Sequence, residues 1–567
     1  MLAFVVPYPQ AVFLIVNTMD FQALFQQFLH GGVAEQASIF DSVSIFLPEL
    51  VLSCTIVLML VARLISLDRL IPTHWFAIFG GMTSFILVLQ QFWKLSMNEA
   101  VATKIFTGLA VHDEFSIFFR GFLAFFLVFV VALTVLTGIP DDEDAPDFYS
   151  LLIGAVIGMM LMASANHLLM LFIGIEMASV PSYALTGFLK GRRQSSEAAL
   201  KFVVYGAGSA GVMLFGISLL AGLLGTAEFS ELALRFDAVF TGRSGMQDPT
   251  VRYVVLALLM IAVGFAFKLS LVPFHFWCPD AFHGAPAEVG GFLSIGSKAA
   301  AFALLVRLTM SLGGYGSGVH GTNTLNSLSL SCGLGLGILA IATTTFGNLA
   351  AYSQQNIKRM LAYSTIAHAG YMLMAVSALL VLQSVQSDAP FQLAHPEGAP
   401  RAMEGLLYYL SVYLFMNLGA FSIVALIRNQ TFSEEIDDYR GVAQQAPILA
   451  ICMAICMFSL VGIPPLGGFY GKAFIFASVY EATNVHWFMW LVLGAGGLNT
   501  VISLFYYLRV AKTMCIDLRP AGAAEISMPA SSSPALYVML VAGMVVFLGI
   551  VINPLSVVAR NAAHAFF

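Results

Sequence analysis

Glu176, Arg120, Lys201, Lys268, Lys298, Arg307 and Lys472 stand inside long apolar stretches of this 567-residue sequence. An ionised side chain at a bilayer centre costs about 2.5–3.5 kcal/mol on insertion scales. Four such groups left unpaired would cost on the order of 10 kcal/mol, comparable to the ~5–15 kcal/mol stability of a whole protein. They must be paired, hydrated or part of a pathway. Acids and amines that exchange protons through water, His and Tyr are the parts of a proton relay. Moving one charge across a membrane stores about 2.3 kcal/mol per 100 mV, so such a relay can do work.

Depth separates these charges. Glu176 lies nine residues beyond His167, about 14 Å along a helix. Lys298 lies ten residues beyond Glu288, about 15 Å by the same rise. Both fall near the midplane of a ~30 Å hydrocarbon core. Lys201 follows Glu197 by one turn, which reads equally as an interfacial i,i+4 pair. Arg120, Arg307 and Lys358 sit near span ends, where snorkelling is the expectation. Lys268 and Lys472 each adjoin a helix breaker: Pro273 follows the first, and Gly462-Ile-Pro-Pro-Leu-Gly-Gly precedes the second. Proline removes a hydrogen bond and frees backbone groups that polar partners must satisfy. Candidate bridges between the charges are His275, Tyr363, Ser364, His368, Tyr413 and Asn417. A packing role competes with relay for each.

The elements that hold these residues follow from composition. Hydrophobic residues make up 59% and charged residues 10%, and mean hydropathy is +0.88. Soluble domains run nearer ~45–50% apolar and ~25% charged, so a water-soluble enzyme is excluded. Apolar runs predict spans near 45–62, 75–93, 115–138, 148–165, 167–189, 198–224, 252–276, 288–313, 327–350, 358–382, 403–427, 445–481, 485–508 and 534–558, by the length a crossing needs. The expected fold is an all-α polytopic membrane protein of about fourteen transmembrane helices. Its breaks fall in the seventh and twelfth spans, five apart, as two inverted five-helix repeats would place them. The chain divides into an N-terminal extension (1–44), three first helices (45–140), repeat one (148–313), repeat two (327–513) and a C-terminal helix (534–567). Met1–Asn17 holds Pro7 and Pro9 and lacks a basic leader, so it reads as an extension, not a signal peptide. Alternate loops carry twelve and seven Lys and Arg, which places both termini on the non-cytoplasmic side.

Other motifs carry no chemistry. Gly206-Ala-Gly208-Ser-Ala-Gly211 matches a dinucleotide fingerprint but sits mid-span with no preceding strand; close helix packing explains it better. The six cysteines include no CxxC pair, so they read as packing residues and no metal or cofactor site is expected in this chain. With a net charge of -6, no nucleic-acid partner is implied.

These residues resemble a known family. Leu-Phe-Ile-Gly-Ile-Glu176-Met, Glu197-Ala-Ala-Leu-Lys201-Phe, Phe267-Lys268 through Asp280, Ser297-Lys298, Asn356 through Tyr371 and Gly462 through Lys472 are similar to the antiporter-like subunits of proton-pumping NADH:quinone oxidoreductase, respiratory complex I, the subunit N family above all. The relation extends to the multisubunit cation/proton antiporters. The resemblance implies proton translocation by Glu176, Lys201, Lys268, Lys298, Lys358 and Lys472, with His275, Tyr363 and His368 as possible relay groups. It also implies that FMN, iron–sulfur clusters and quinone belong to partner subunits. Expected partners are the neighbouring membrane subunits, lipid, protons and water, in a bacterial inner membrane or its organellar equivalent. Two rivals stand beside this: a subunit of a stand-alone cation/proton antiporter, and a structural scaffold whose buried ions only fix packing.

Overall fold

The computed structural model describes residues 37–96, 103–240, 247–314, 322–385, 398–522 and 524–567. The extension read over 1–44 lies outside the described residues up to residue 36, as do residues 386–397 between the tenth and eleventh predicted spans. Within the described residues thirteen helices are long and apolar enough to cross a membrane. They are α1 (Leu47–Leu64), α2 (Thr73–Ser96), α3 (Glu114–Thr137), α4 (Ala145–Ser164), α5 (Leu168–Thr186), α6 (Arg193–Leu224) and α7 (Pro249–Leu269), then α8 (Ala287–Leu312), α9 (Asn323–Tyr352), α10 (Ile357–Gln383), α11 (Gly398–Thr431), α13 (Phe488–Cys515) and α14 (Ser533–Ile550). The remaining crossing, α12, joins two shorter helices, Pro447–Val461 and Gly467–Ala482. That makes the fourteen the hydropathy predicts. Among the described residues one element departs from an all-α chain: a small antiparallel hairpin pairs Thr103–Ile105 with Ala110–His112.

Local chemistry sets the boundaries. Asp113 and Ser116 form a reciprocal capping box at the start of α3, satisfying amides that have no intrahelical partner. The Asn356 side chain accepts from the Lys358 and Arg359 amides at the start of α10. The first half of α12 stops at Gly462, whose φ of +94° is open to glycine and strained for other residues. α7 stops at Leu269, and Ser270 turns the chain with a φ of +58°. The chain re-forms as a short helix at Trp277–Gly284. Inside α8, residues Leu293–Ser297 widen into a π turn directly before Lys298.

The loops gather on two faces. On one, Arg63 meets Asp147 at 2.7 Å, Lys190 meets Asp144 at 2.6 Å, and Arg509 donates to the Tyr352 carbonyl at 3.2 Å. Arg63, Lys190 and Arg509 belong to the richer loop set, so this is the basic face. On the other, Asn166 bonds the Gly108 carbonyl at 3.0 Å and Arg560 bonds Glu404 at 3.2 Å. Blocks α4–α8 and α9–α13 each carry a broken crossing in fourth place. Because five is odd, the second block starts from the opposite face and runs inverted relative to the first.

Helices α8, α10 and α11 are enclosed along their whole apolar length, whereas α1, α2, α9 and α13 turn most of theirs outward. Glu288, Lys298, Arg307, Lys358, His368, Glu404 and Arg428 on these helices are therefore buried in protein. Close approach between α5 and α6 depends on Gly206, where a Cβ would lie 2.0 Å from the Tyr183 hydroxyl. Small-residue packing thus accounts for Gly206; Gly208 and Gly211 face open space. Two expectations need correction. Arg120 and Arg307 do not snorkel: both are buried. Arg120 forms a two-pronged pair with Glu49 at 2.6 Å on both sides, and Arg307 bonds Asp113 at 2.6 Å. The hairpin and the short helices beyond the span ends cover positions that depth counting placed at the water.

Candidate functional site

The two helix breaks create the site. A helix ends in carbonyls without amide partners and in the negative pole of its dipole. Where a crossing stops inside the protein, these carbonyls become a buried cation site. The Lys472 ammonium donates to Leu460 and Val461, the last carbonyls of the first half of α12, at 3.0 and 2.8 Å. It also lies 4.4 Å from the centroid of the Tyr371 ring, where the π face attracts a cation. The Lys298 ammonium, reaching from α8, donates to the Leu269 carbonyl at the end of α7 at 2.9 Å. One broken helix in each repeat thus holds one lysine by backbone oxygen.

Lys268, immediately before Leu269, donates to Ser179 Oγ on α5 at 2.8 Å. Glu176 stands one turn earlier on α5 than Ser179, which places it beside Lys268. Lys201 is paired with Glu197 at 2.9 Å and Asp280 at 2.8 Å near the basic face, and stands 41% exposed. Arg359 takes the other Asp280 oxygen at 2.8 Å, tying α6, the short helix after the break and α10 together. Lys358 also departs from the snorkelling expectation: it is 2% exposed and sits between Glu434, at 2.9 Å, and the Ala285 carbonyl, at 2.7 Å.

Between the two carbonyl-held lysines lies His368. Its Nδ1 is 2.5 Å from the Tyr409 hydroxyl and its Nε2 is 2.9 Å from the Tyr507 hydroxyl. The fields of Lys298 and Lys472 both act on the ring. Tyr507 also bonds Ser364. Tyr413 packs its ring 5.2 Å from His368 and accepts from Asn417 at 2.9 Å; Asn417 donates in turn to Ser294 at 2.6 Å. A row Glu176, Lys268, Lys298, His368, Lys472 therefore runs from repeat one into repeat two, through α5, α7, α8, α10 and α12.

Not every candidate joins it. Tyr363 lies half-buried against the core and takes no part in these bonds; Tyr507 fills the place beside Ser364 and His368. His275 packs against Phe276 and Phe346, with centroids 4.5 and 4.4 Å apart, on the side of the α7 break. Sequence reasoning missed Tyr409, although Tyr409, Tyr413 and Asn417 follow one another at four-residue steps along one face of α11. It also missed the acids Glu49, Asp113, Glu288 and Glu434. Their signal was an acid inside or beside an apolar run, the same signal that singled out the lysines.

Residues 165–503 match a family described as NADH:quinone oxidoreductase/Mrp antiporter, TM. A protein named NADH-quinone oxidoreductase subunit N, from Anaeromyxobacter sp. (strain Fw109-5), is 41% identical over 75% of this chain and 78% of its own length. One of the same name from Chlorobium chlorochromatii (strain CaD3) is 35% identical over 94% of this chain and 96% of its own. A chain of respiratory complex I from Thermus thermophilus is similar in structure with a TM-score of 0.66 at 26% identity, covering 89% of this chain and 97% of that one.

Proposed function

The chain belongs to the subunit N family of NADH-quinone oxidoreductase membrane subunits, and from that premise we propose that it carries protons across the membrane along the buried row described above. The observation that carries this reading is the pair Lys298 and Lys472, each held by carbonyls freed at a broken crossing, with His368 between them. Two charges ~8 Å apart in an effective dielectric of ~20 interact by about 2 kcal/mol, equivalent to roughly 1.5 pK units. Movement of Lys268 between Glu176 and Ser179 would therefore change the energy of a proton on Lys298, and that change would pass through His368 to Lys472. A neutral imidazole donates at one nitrogen and accepts at the other. With Tyr409 and Tyr507 on its two nitrogens, His368 is placed to take a proton from one lysine as it releases one toward the other.

Lys201, Asp280 and Arg359 mark the basic face, which we assign as the inner side by its excess of Lys and Arg. The redox groups, FMN and iron–sulfur clusters with quinone, are assigned to partner subunits, the neighbouring antiporter-like and small membrane subunits to direct contact, and a bacterial inner membrane to the location. The family description also covers antiporters, but relatives matching nearly the whole chain carry the oxidoreductase name, which favours the oxidoreductase assembly. The test is Lys268→Ala and Lys472→Ala in the assembled complex, with NADH-driven proton uptake measured in membrane vesicles. Loss of uptake with normal assembly is expected. Wild-type uptake with either lysine absent would remove that residue from the relay.

A further inference from the structure

Most buried carboxylates here are held in place by donors. Glu49 accepts both prongs of Arg120 at 2.6 Å, and Asp113 accepts from Arg307 at 2.6 Å and from the Ser116 amide at 2.7 Å. Glu288, in the first turn of α8, differs. It is 0% exposed, yet neither carboxyl oxygen has a hydrogen-bond partner among the described residues. Its nearest cation, Arg428 at the end of α11, is 3.8 Å away, beyond a strong charge-assisted bond of ~2.7–2.9 Å. As a strut this geometry is poor, because leaving a buried polar group unbonded costs about 1–3 kcal/mol.

The surroundings give the carboxyl another use. Lys358 on α10 feels Glu288, Arg428 and Glu434 together, and its ammonium rests on the carbonyl of Ala285, three residues before Glu288. Glu434, on the loop after α11, is 15% exposed and opens the group toward the basic face. Tyr439 contributes a buried hydroxyl without a partner, within the fields of Glu434 and Arg428. His283, on the short helix before α8, is reached by the fields of Lys358, Arg359, Glu434 and Asp280. Glu288 and Glu434 together balance Lys358 and Arg428, so an added proton leaves a net positive charge that favours its onward transfer. Ser294 lies six residues further along α8, about 9 Å by helical rise. There Asn417 donates to Ser294 and to Tyr413 while its own Oδ1 stays unbonded and buried. One end of this column is an unbonded acid and the other adjoins His368.

We propose that Glu288 is a proton-loading carboxyl at an entrance between the two repeats, exchanging protons with the Lys358–Glu434 pair and handing them through water and the Ser294 and Tyr413 hydroxyls, which the Asn417 amide positions, toward Lys298 and His368. Each step moves a proton alone: it leaves the Lys358 ammonium or Glu434, resides on a Glu288 oxygen, and departs to water and the hydroxyls, each of which accepts one proton as it gives up another. This rests on the proton-carrying reading of the row itself.

Three variants in the assembled complex test it, with NADH-driven proton uptake and the amount of complex measured together. Glu288→Gln keeps the shape and removes the titrating group. Uptake is expected to fall at least about tenfold, given that a positioned acid–base group contributes ~10²–10⁴-fold, and Glu288→Asp is expected to recover much of it. The double variant Glu288→Gln/Arg428→Gln leaves no charge stranded, so it is expected to assemble as wild type and still pump poorly. Wild-type uptake in Glu288→Gln or in the double variant, while Lys298→Ala pumps nothing, would overturn the proposal and leave the row intact. Failure of the double variant to assemble would assign Glu288 to the fold and overturn the proposal too. Normal uptake in Lys298→Ala would instead bring down the row.

Discussion

Replacing Lys472 by Arg separates a conductor from a strut more sharply than removing it. The ammonium donates to two carbonyls at 2.8 and 3.0 Å and rests over Tyr371. A guanidinium keeps the positive charge, supplies more donors than those carbonyls need and stacks well on an aromatic face. A purely structural role is thus preserved, less an overpacking cost of about 1–3 kcal/mol for the larger head. The site is close-fitting, because a Cβ at Gly462 would lie 3.2 Å from Lys472 Cδ. What Arg cannot do is give up a proton. Its pKa lies so far above neutral that the uncharged form at pH 7 costs about 7–9 kcal/mol, which slows any step through it by roughly 10⁵–10⁷-fold. Lys472→Arg should still assemble, at a stability cost of about 1–3 kcal/mol, and drive no measurable proton uptake. The assay is NADH-driven acidification of membrane vesicles, normalised to the quantity of complex. Uptake within twofold of wild type would refute the view that Lys472 releases its proton during turnover.

Two further outcomes follow from buried charges outside the row. Arg120→Met strands Glu49, which is 1% exposed, and should lower stability by about 3–5 kcal/mol; Glu49→Gln/Arg120→Met together should recover most of the loss, read as the melting temperature of the purified complex. His112, in the hairpin, is lowered from 6.5 to about 4, first by burial and then by the Arg120 charge, with Asp113 opposing. The folded state therefore binds this proton more weakly than the unfolded chain. Its contribution, up to about 3 kcal/mol, is complete above pH 6.5 and is lost as pH falls from 6.5 toward 4. The melting temperature of wild type should fall further between pH 7 and 5 than that of His112→Gln; equal falls would remove His112 as the cause.

The breaks were legible in the sequence because proline and glycine act locally. Pro273 and Gly462-Ile-Pro-Pro told where crossings stop, and their five-span separation told that the blocks repeat. The partners were not legible, because they join residues far apart in the chain: Lys358 with Glu434, Arg428 with Glu288, Arg120 with Glu49. Nor does counting residues from a span end give depth where other elements cap that end, which is why Arg120, Arg307 and Lys358 are buried. Helical arithmetic could have preferred Ser364 to Tyr363. Ser364 and His368 are four residues apart and share a face, and both meet Tyr507, while Tyr363 points elsewhere.

The chemistry of the partner sorts these charges by what they can do. Arg120 and Arg307 meet carboxylates, and Lys201 meets two of them. Removing the proton from Lys201 would leave two acids facing each other, so such a group holds elements together and marks a boundary. Lys298 and Lys472 meet carbonyls instead. A helix end carries about half a unit of negative charge, enough to stabilise an ammonium against burial and not enough to make its neutral amine intolerable. Either protonation state can then occupy the site, and a neighbouring charge of ~2 kcal/mol decides between them. Breaking a crossing is the means of supplying that half charge at mid-membrane without adding a carboxylate. The lysines and the prolines are in this sense one feature, and a variant that restored a continuous helix at 462–466 would be expected to silence Lys472 as completely as replacing it.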